Sequence, residues 1–82
     1  METFTGKLST EPERRDDRWH FSLYDEETHE QITCMSSVRF ESENQGRKLF
    51  IEPCQIVRVS GERNPPWLLR FDTLHTGEDR AI

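Results

Sequence analysis

Apolar residues are scarce in this chain, making up 32% of its 82 residues against 33% charged. No stretch approaches the roughly 18 consecutive apolar residues of a membrane-spanning helix, so none is expected and no membrane partner is read. The opening METFTGKLST shows no charged region leading into an apolar one, so no secretory signal is read and a cytoplasmic location is expected. Cysteine is limited to Cys34 and Cys54, which form no CxxC pair. They are expected as reduced thiols packed as small hydrophobes, with one disulfide between them left open. His20, His29 and His75 fall in separate segments without metal-ligand spacing. There is no glycine-rich phosphate loop and no base beside either cysteine. Asp25, Glu26, Glu27 and Glu30 crowd one polar turn, the pattern of a solvated tip rather than of a carboxylate pair across a cleft. The chain is therefore read as non-catalytic, with no metal, cofactor or small-molecule substrate expected.

What remains is a small domain with a lean core. A length of 82 residues fits one domain, read as a barrel over about 3–74 with a flexible tail at 75–82. So small a chain buries on the order of 60% of its unfolded surface, which favours a partner protein or a homodimer. The net charge is −5, from 16 acidic and 11 basic residues, and nine of those cations are arginine. Acidity opposes nucleic-acid binding, whereas arginine suits phosphate forks and stacking on bases.

Alternation with period two marks the strands. Phe4, Gly6 and Leu8 share a face over Thr3–Ser9, with Gly6 marking a bulge or a close backbone approach. The polar, proline-containing stretch Thr10–Asp17 reads as a loop. In Arg18–Tyr24, Trp19, Phe21 and Leu23 oppose Arg18, His20, Ser22 and Tyr24. After the turn Asp25–Glu30, Gln31–Val38 sets Ile32 and Cys34 against Thr33 and Met35, completing an antiparallel hairpin. The segment Arg39–Lys48 has no helical stripe and holds a turn or two of helix at most. Val57, Val59 and Gly61 alternate over Gln55–Glu62. The loop Arg63–Pro66 precedes a last strand, Trp67–Leu74, with Trp67, Leu69 and Phe71 on one face.

Five short strands separated by turns predict an all-β fold. The fit is a closed five-stranded barrel, with a short or absent helix between its third and fourth strands. An SH3-like barrel is the competing topology. Arg18–Met35, RWHFSLYDEETHEQITCM, resembles the central hairpin of OB-fold nucleic-acid-binding domains, in particular those of the exodeoxyribonuclease VII large subunit and of bacterial replicative polymerases. Trp19, Phe21, Leu23, Asp25, Ile32 and Cys34 carry that resemblance. Val57-Arg58-Val59-Ser60-Gly61 resembles the V–x–V–x–G strand of such domains, and Gly6 a first-strand glycine that lets the strand curve into both halves. Phe40 and Leu49-Phe50-Ile51 are expected to close the barrel floor where those domains place a helix.

The resemblance implies a five-stranded Greek-key barrel of the OB type, with a ligand face on the outside of the central hairpin, flanked by two loops. On this chain Arg14 and Arg15 come from the first loop and Arg18, His20 and Tyr24 from the next strand. Thr33 and Met35 lie on its partner, and Arg63, Asn64 and Trp67 in the last loop. Cations tracking phosphates and flat rings stacking on bases are what a single strand requires, with His20 and Tyr24 read as serving adjacent bases. Single-stranded DNA or RNA is the expected partner, within a replication or repair assembly. A protein-interaction barrel without nucleic-acid affinity and an acidic DNA mimic are the alternatives.

Overall fold

The computed structural model describes residues 1–45, 47–52 and 55–76, together with the backbone of 80–81. Strands β1 (Glu2–Leu8), β2 (Glu13–Arg15), β3 (Arg18–Asp25) and β4 (Glu30–Ser36) precede one short helix, α1 (Val38–Glu43). Strands β5 (Ile56–Arg63), β6 (Leu68–Thr76) and β7 (Arg80–Ala81) follow it. Cys54 lies outside the described residues.

The sheet closes on itself. β1 pairs antiparallel with β5 over Glu2–Lys7, then crosses to β3, setting Lys7 opposite Tyr24 and Leu8 opposite Leu23. β3 and β4 form the antiparallel hairpin, with Phe21 opposite Cys34 and Leu23 opposite Ile32. β4 then pairs in parallel with β6, and β6 antiparallel with β5, completing a closed five-strand barrel. In this circuit the first strand bridges both halves, an arrangement compatible with an OB-like barrel. Closure pairs the sheet edges that would otherwise be left open to association.

The crossing of β1 explains Gly6. A Cβ there would stand 2.7 Å from the Tyr24 carbonyl oxygen, so only glycine lets the two backbones approach this closely. Inward residues of the five strands make one core, in which Leu23, Cys34, Val57, Val59 and Phe71 are fully buried. Phe71 packs at its centre, its ring 5.4 Å from Phe21 and 4.9 Å edge-on from Phe40. Truncating such a ring costs about 3–5 kcal/mol.

Several expectations change. The stretch Thr10–Asp17 is not all loop: Glu13–Arg15 pairs with Arg18–His20 through a two-residue turn. Asp16 and Asp17 both take positive φ (51° and 61°), the backbone of a tight hairpin, and aspartate tolerates it better than most residues. The short helix allowed for between the third and fourth barrel strands is present as α1, in keeping with the expectation, started by Ser37, whose hydroxyl accepts from the Phe40 amide at 3.1 Å. Of the residues expected to close the floor, Phe40, Leu49 and Ile51 are buried in the core, but Phe50 is 78% exposed. Burial alternates along 49–51, so the middle ring turns outward. Trp67 precedes β6 and is 64% exposed, leaving the face shared by Leu69 and Phe71. Trp19 is half-buried against the core rather than within it. β6 continues through Thr76 and pairs with Arg80–Ala81, so these residues extend the sheet where a tail was expected. The β5–β6 register slips by one residue at Ser60/Gly61. Asp72 is the extra residue, and past it Leu74 and Thr76 take over the inward face.

Candidate nucleic-acid interface

Inward burial of Trp19, Phe21 and Leu23 forces Arg18, His20, Ser22 and Tyr24 to the outer face of β3. Thr33 and Met35 are turned outward on β4 in the same way. Register then aligns residues from different strands. Glu13 of β2 stands opposite His20, His20 opposite Met35, and Met35 opposite Arg70 of β6. Neighbouring strands lie about 4.8 Å apart, so His20, Met35 and Arg70 form a row roughly 10 Å long across three strands. Arg15 and Arg18 face each other at one end of β3, and Ser22 pairs with Thr33 beside the row.

The cations of this face differ in how firmly they are held. Arg70 has no side-chain hydrogen bond or ion pair among the described residues. Arg18 donates to the Ser36 carbonyl oxygen at 2.9 Å and has no ion pair among the described residues. Arg15 lies 3.6 Å from Glu13, with both side chains more than half exposed, a pair that contributes little stability. A groove of about 250 Å³ beside the row is lined by Thr10, Glu13, Arg15, His20, Ser22 and Thr33, among others. Its wall is anchored where the Thr10 hydroxyl accepts from the Ser22 amide at 2.9 Å.

The remaining candidates do not join this row. Arg14 stands opposite Trp19, on the other face of the β2–β3 ribbon. Its guanidinium lies 5.4 Å from the Trp19 ring centroid and is paired to Glu41 at 3.0 Å. Arg63 is held at the far end of the hairpin by Glu30 and Glu2, and it donates to the Pro66 carbonyl oxygen at 2.6 Å. Its hydrogen bond to Glu30, which accepts, raises the Arg63 pKa further above the ordinary guanidinium value, against a smaller lowering by burial. Asn64 uses its backbone amide to bond the Leu68 carbonyl oxygen, and Trp67 stands in the same loop, its carbonyl accepting from Thr33. Tyr24 lies toward that end too, its hydroxyl 2.8 Å from His29 Nδ1. His20 and Tyr24 are four residues apart, about 13 Å by strand rise. Ser22 stands between them, so the two rings do not serve adjacent bases.

Arg70 is the residue that sequence reasoning missed. Alternation against Leu69 and Phe71 places it outward, but nothing in one sequence says that β6 lies parallel beside β4. Among the described residues no three of His, Cys, Asp and Glu converge as a metal site, and no helix is long and apolar enough to cross a membrane. Cys34 is sealed in the core, and burial pushes its thiol from 9.0 up to about 12. Comparisons with protein-family models, with curated proteins and with solved structures found no match to this chain.

Proposed function

We propose that the outer face of β3, β4 and β6 binds single-stranded nucleic acid without catalysis. The observation that carries this reading is the cross-strand row of His20, Met35 and Arg70, flanked by Arg15 and Arg18. A flat ring and a polarisable thioether offer a surface on which bases stack, at about 1–3 kcal/mol per base for an aromatic platform. Arg15, Arg18 and Arg70 stand at two sides of that surface, where a phosphate backbone would run. Thr33 and Ser22 supply hydroxyls for base edges or sugars. The barrel circuit and the resemblance of Arg18–Met35 to OB nucleic-acid domains support the same assignment. Glu13 and Glu62 border the row, so binding is expected to be modest and strongly dependent on salt.

A protein partner is the second reading, favoured by the net charge of −5 and by exposed Trp67 and Phe50. Fluorescence anisotropy of labelled single-stranded DNA and RNA, at two salt concentrations, separates the two. The expected result is binding that weakens by about 0.7 log units per phosphate contact for each tenfold rise in salt. His20→Ala and Arg70→Ala should each weaken it, whereas Arg63→Ala, whose guanidinium is already tied, should leave the salt slope unchanged. Absence of binding at low salt, or indifference to both His20→Ala and Arg70→Ala, would overturn the assignment and leave the protein-partner reading.

A further inference from the structure

A broad concavity lies on the opposite side of the β2–β3 ribbon from His20, between that ribbon, helix α1 and the segment after it. It encloses about 800 Å³, within the range of roughly 300–1,000 Å³ typical of small-ligand clefts. One wall is Trp19 with the Arg14 guanidinium over its ring. The facing wall is α1, which presents Glu41 and the exposed side chain of Val38. Arg47 and Lys48 also line the cleft, exposed and without an ion pair among the described residues.

The aromatic wall is held in place from beneath. The Trp19 amide donates to the buried Ser36 hydroxyl at 2.8 Å, and that hydroxyl donates to Glu41 Oε2 at 2.6 Å. Glu41 Oε1 accepts from Arg14 at 3.0 Å, and Arg14 also donates to the Asp17 carbonyl oxygen at 3.3 Å. The chain of bonds therefore ties the Trp19 backbone and the Arg14 guanidinium to α1 before any ligand arrives, which lowers the ordering cost of binding. It also spends the charge of Glu41 on Arg14. With Asp17 as the other acidic lining residue, Arg47 and Lys48 leave the cleft with an excess of positive charge.

A planar ring against the Arg14–Trp19 wall and an anion at Arg47 and Lys48 describe a single ligand chemistry. We infer that this cleft binds a nucleoside monophosphate, either free or as the terminal nucleotide of a strand. Guanidinium and indole planes both stack on bases, and Val38 would be covered by the ring. This inference does not rest on the strand-binding face, since Arg14 and Trp19 point away from His20 and Arg70.

The test uses Trp67→Phe, which leaves Trp19 as the sole indole reporter. Titration with AMP should quench Trp19 emission saturably, adenosine should bind more weakly, and inorganic phosphate should leave the emission unchanged. Arg47→Ala combined with Lys48→Ala should weaken AMP binding about tenfold, as expected for two exposed charge contacts. Both residues are exposed, and circular dichroism should show the variant folded as the parent. His20→Ala and Arg70→Ala should leave AMP binding unchanged while weakening oligonucleotide binding, which separates failure of this inference from failure of the strand-binding reading. An end-phosphorylated oligonucleotide that displaces AMP identifies a strand terminus as the source; one that does not identifies the free nucleotide. Trp19 emission indifferent to millimolar AMP, or equal AMP affinity in the Arg47/Lys48 variant, would overturn the inference.

Discussion

Gly61→Ala is the substitution that most directly tests how the barrel positions its outer face. Gly61 is buried on β5, opposite Phe71, at the slip in the β5–β6 register. A Cβ built there falls within 2.8 Å of both the Arg70 carbonyl carbon and Phe71 Cα, and closer still to the Arg70 carbonyl oxygen. Those atoms are backbone in a paired strand, so no side chain can rotate away to relieve the clash. Overpacking of a core typically costs about 1–3 kcal/mol, and a backbone clash belongs at or above the upper end. A domain of 82 residues has a total stability of roughly 4–12 kcal/mol. For a domain this size, about 3 kcal/mol corresponds to a fall in Tm of roughly 12–24 °C. Thermal unfolding followed by circular dichroism reads this directly, with Thr73→Ala, at an exposed position on β6, as a control expected within about 0.5 kcal/mol of the parent. The clash falls on the peptide of Arg70, so the variant should also disturb the alignment of Arg70 with Met35. A Tm within a few degrees of the parent would refute the claim that β5 and β6 approach too closely at this point for any side chain.

Two further outcomes follow from the interior. Ser36→Ala removes the acceptor of the Trp19 amide and the donor to Glu41, and urea unfolding should show a loss of about 1–3 kcal/mol; a loss below about 0.5 kcal/mol would mean that this network holds little. Cys34 retains its proton in the folded state up to about pH 12, whereas an unfolded thiol loses it near 9. The unfolded state then binds fewer protons, so stability should be undiminished below that lower value. It should fall by up to about 1.4 kcal/mol per pH unit as pH rises toward 12. Unfolding curves of Cys34→Ala beside a Cys54→Ser parent isolate this dependence, and an identical alkaline slope in both would refute it.

Much of the barrel is legible in the alternation of single residues. Trp19, Phe21 and Leu23 set one face of β3 and leave His20 and Tyr24 on the other, because successive side chains of a strand point to opposite sides. The burial of Val57 and Val59 follows from the same rule, and Gly6 marks a close approach that any side chain would obstruct. Local pattern was silent where conformation depended on a partner. Asp16 and Asp17 lack the glycine that announces a tight hairpin, so β2 was concealed in a polar stretch. Phe50 looks like its neighbours Leu49 and Ile51, yet it faces solvent while they are buried, a difference that composition alone does not show.

The composition and spacing of the chain determined an all-β barrel, a lean core, and the residue types available on each strand face. Which of those residues meet was decided by the tertiary structure. Parallel pairing of β4 with β6 brings Arg70 beside Met35 and His20, although Arg70 lies 35 residues from Met35 in the chain. The β2–β3 hairpin turns Arg14 toward Trp19 and away from the row, and Glu30 and Glu2 hold Arg63 at the opposite end. Alternation depends only on neighbours along the chain, whereas register and closure depend on contacts between distant segments, and a single sequence carries no measure of those.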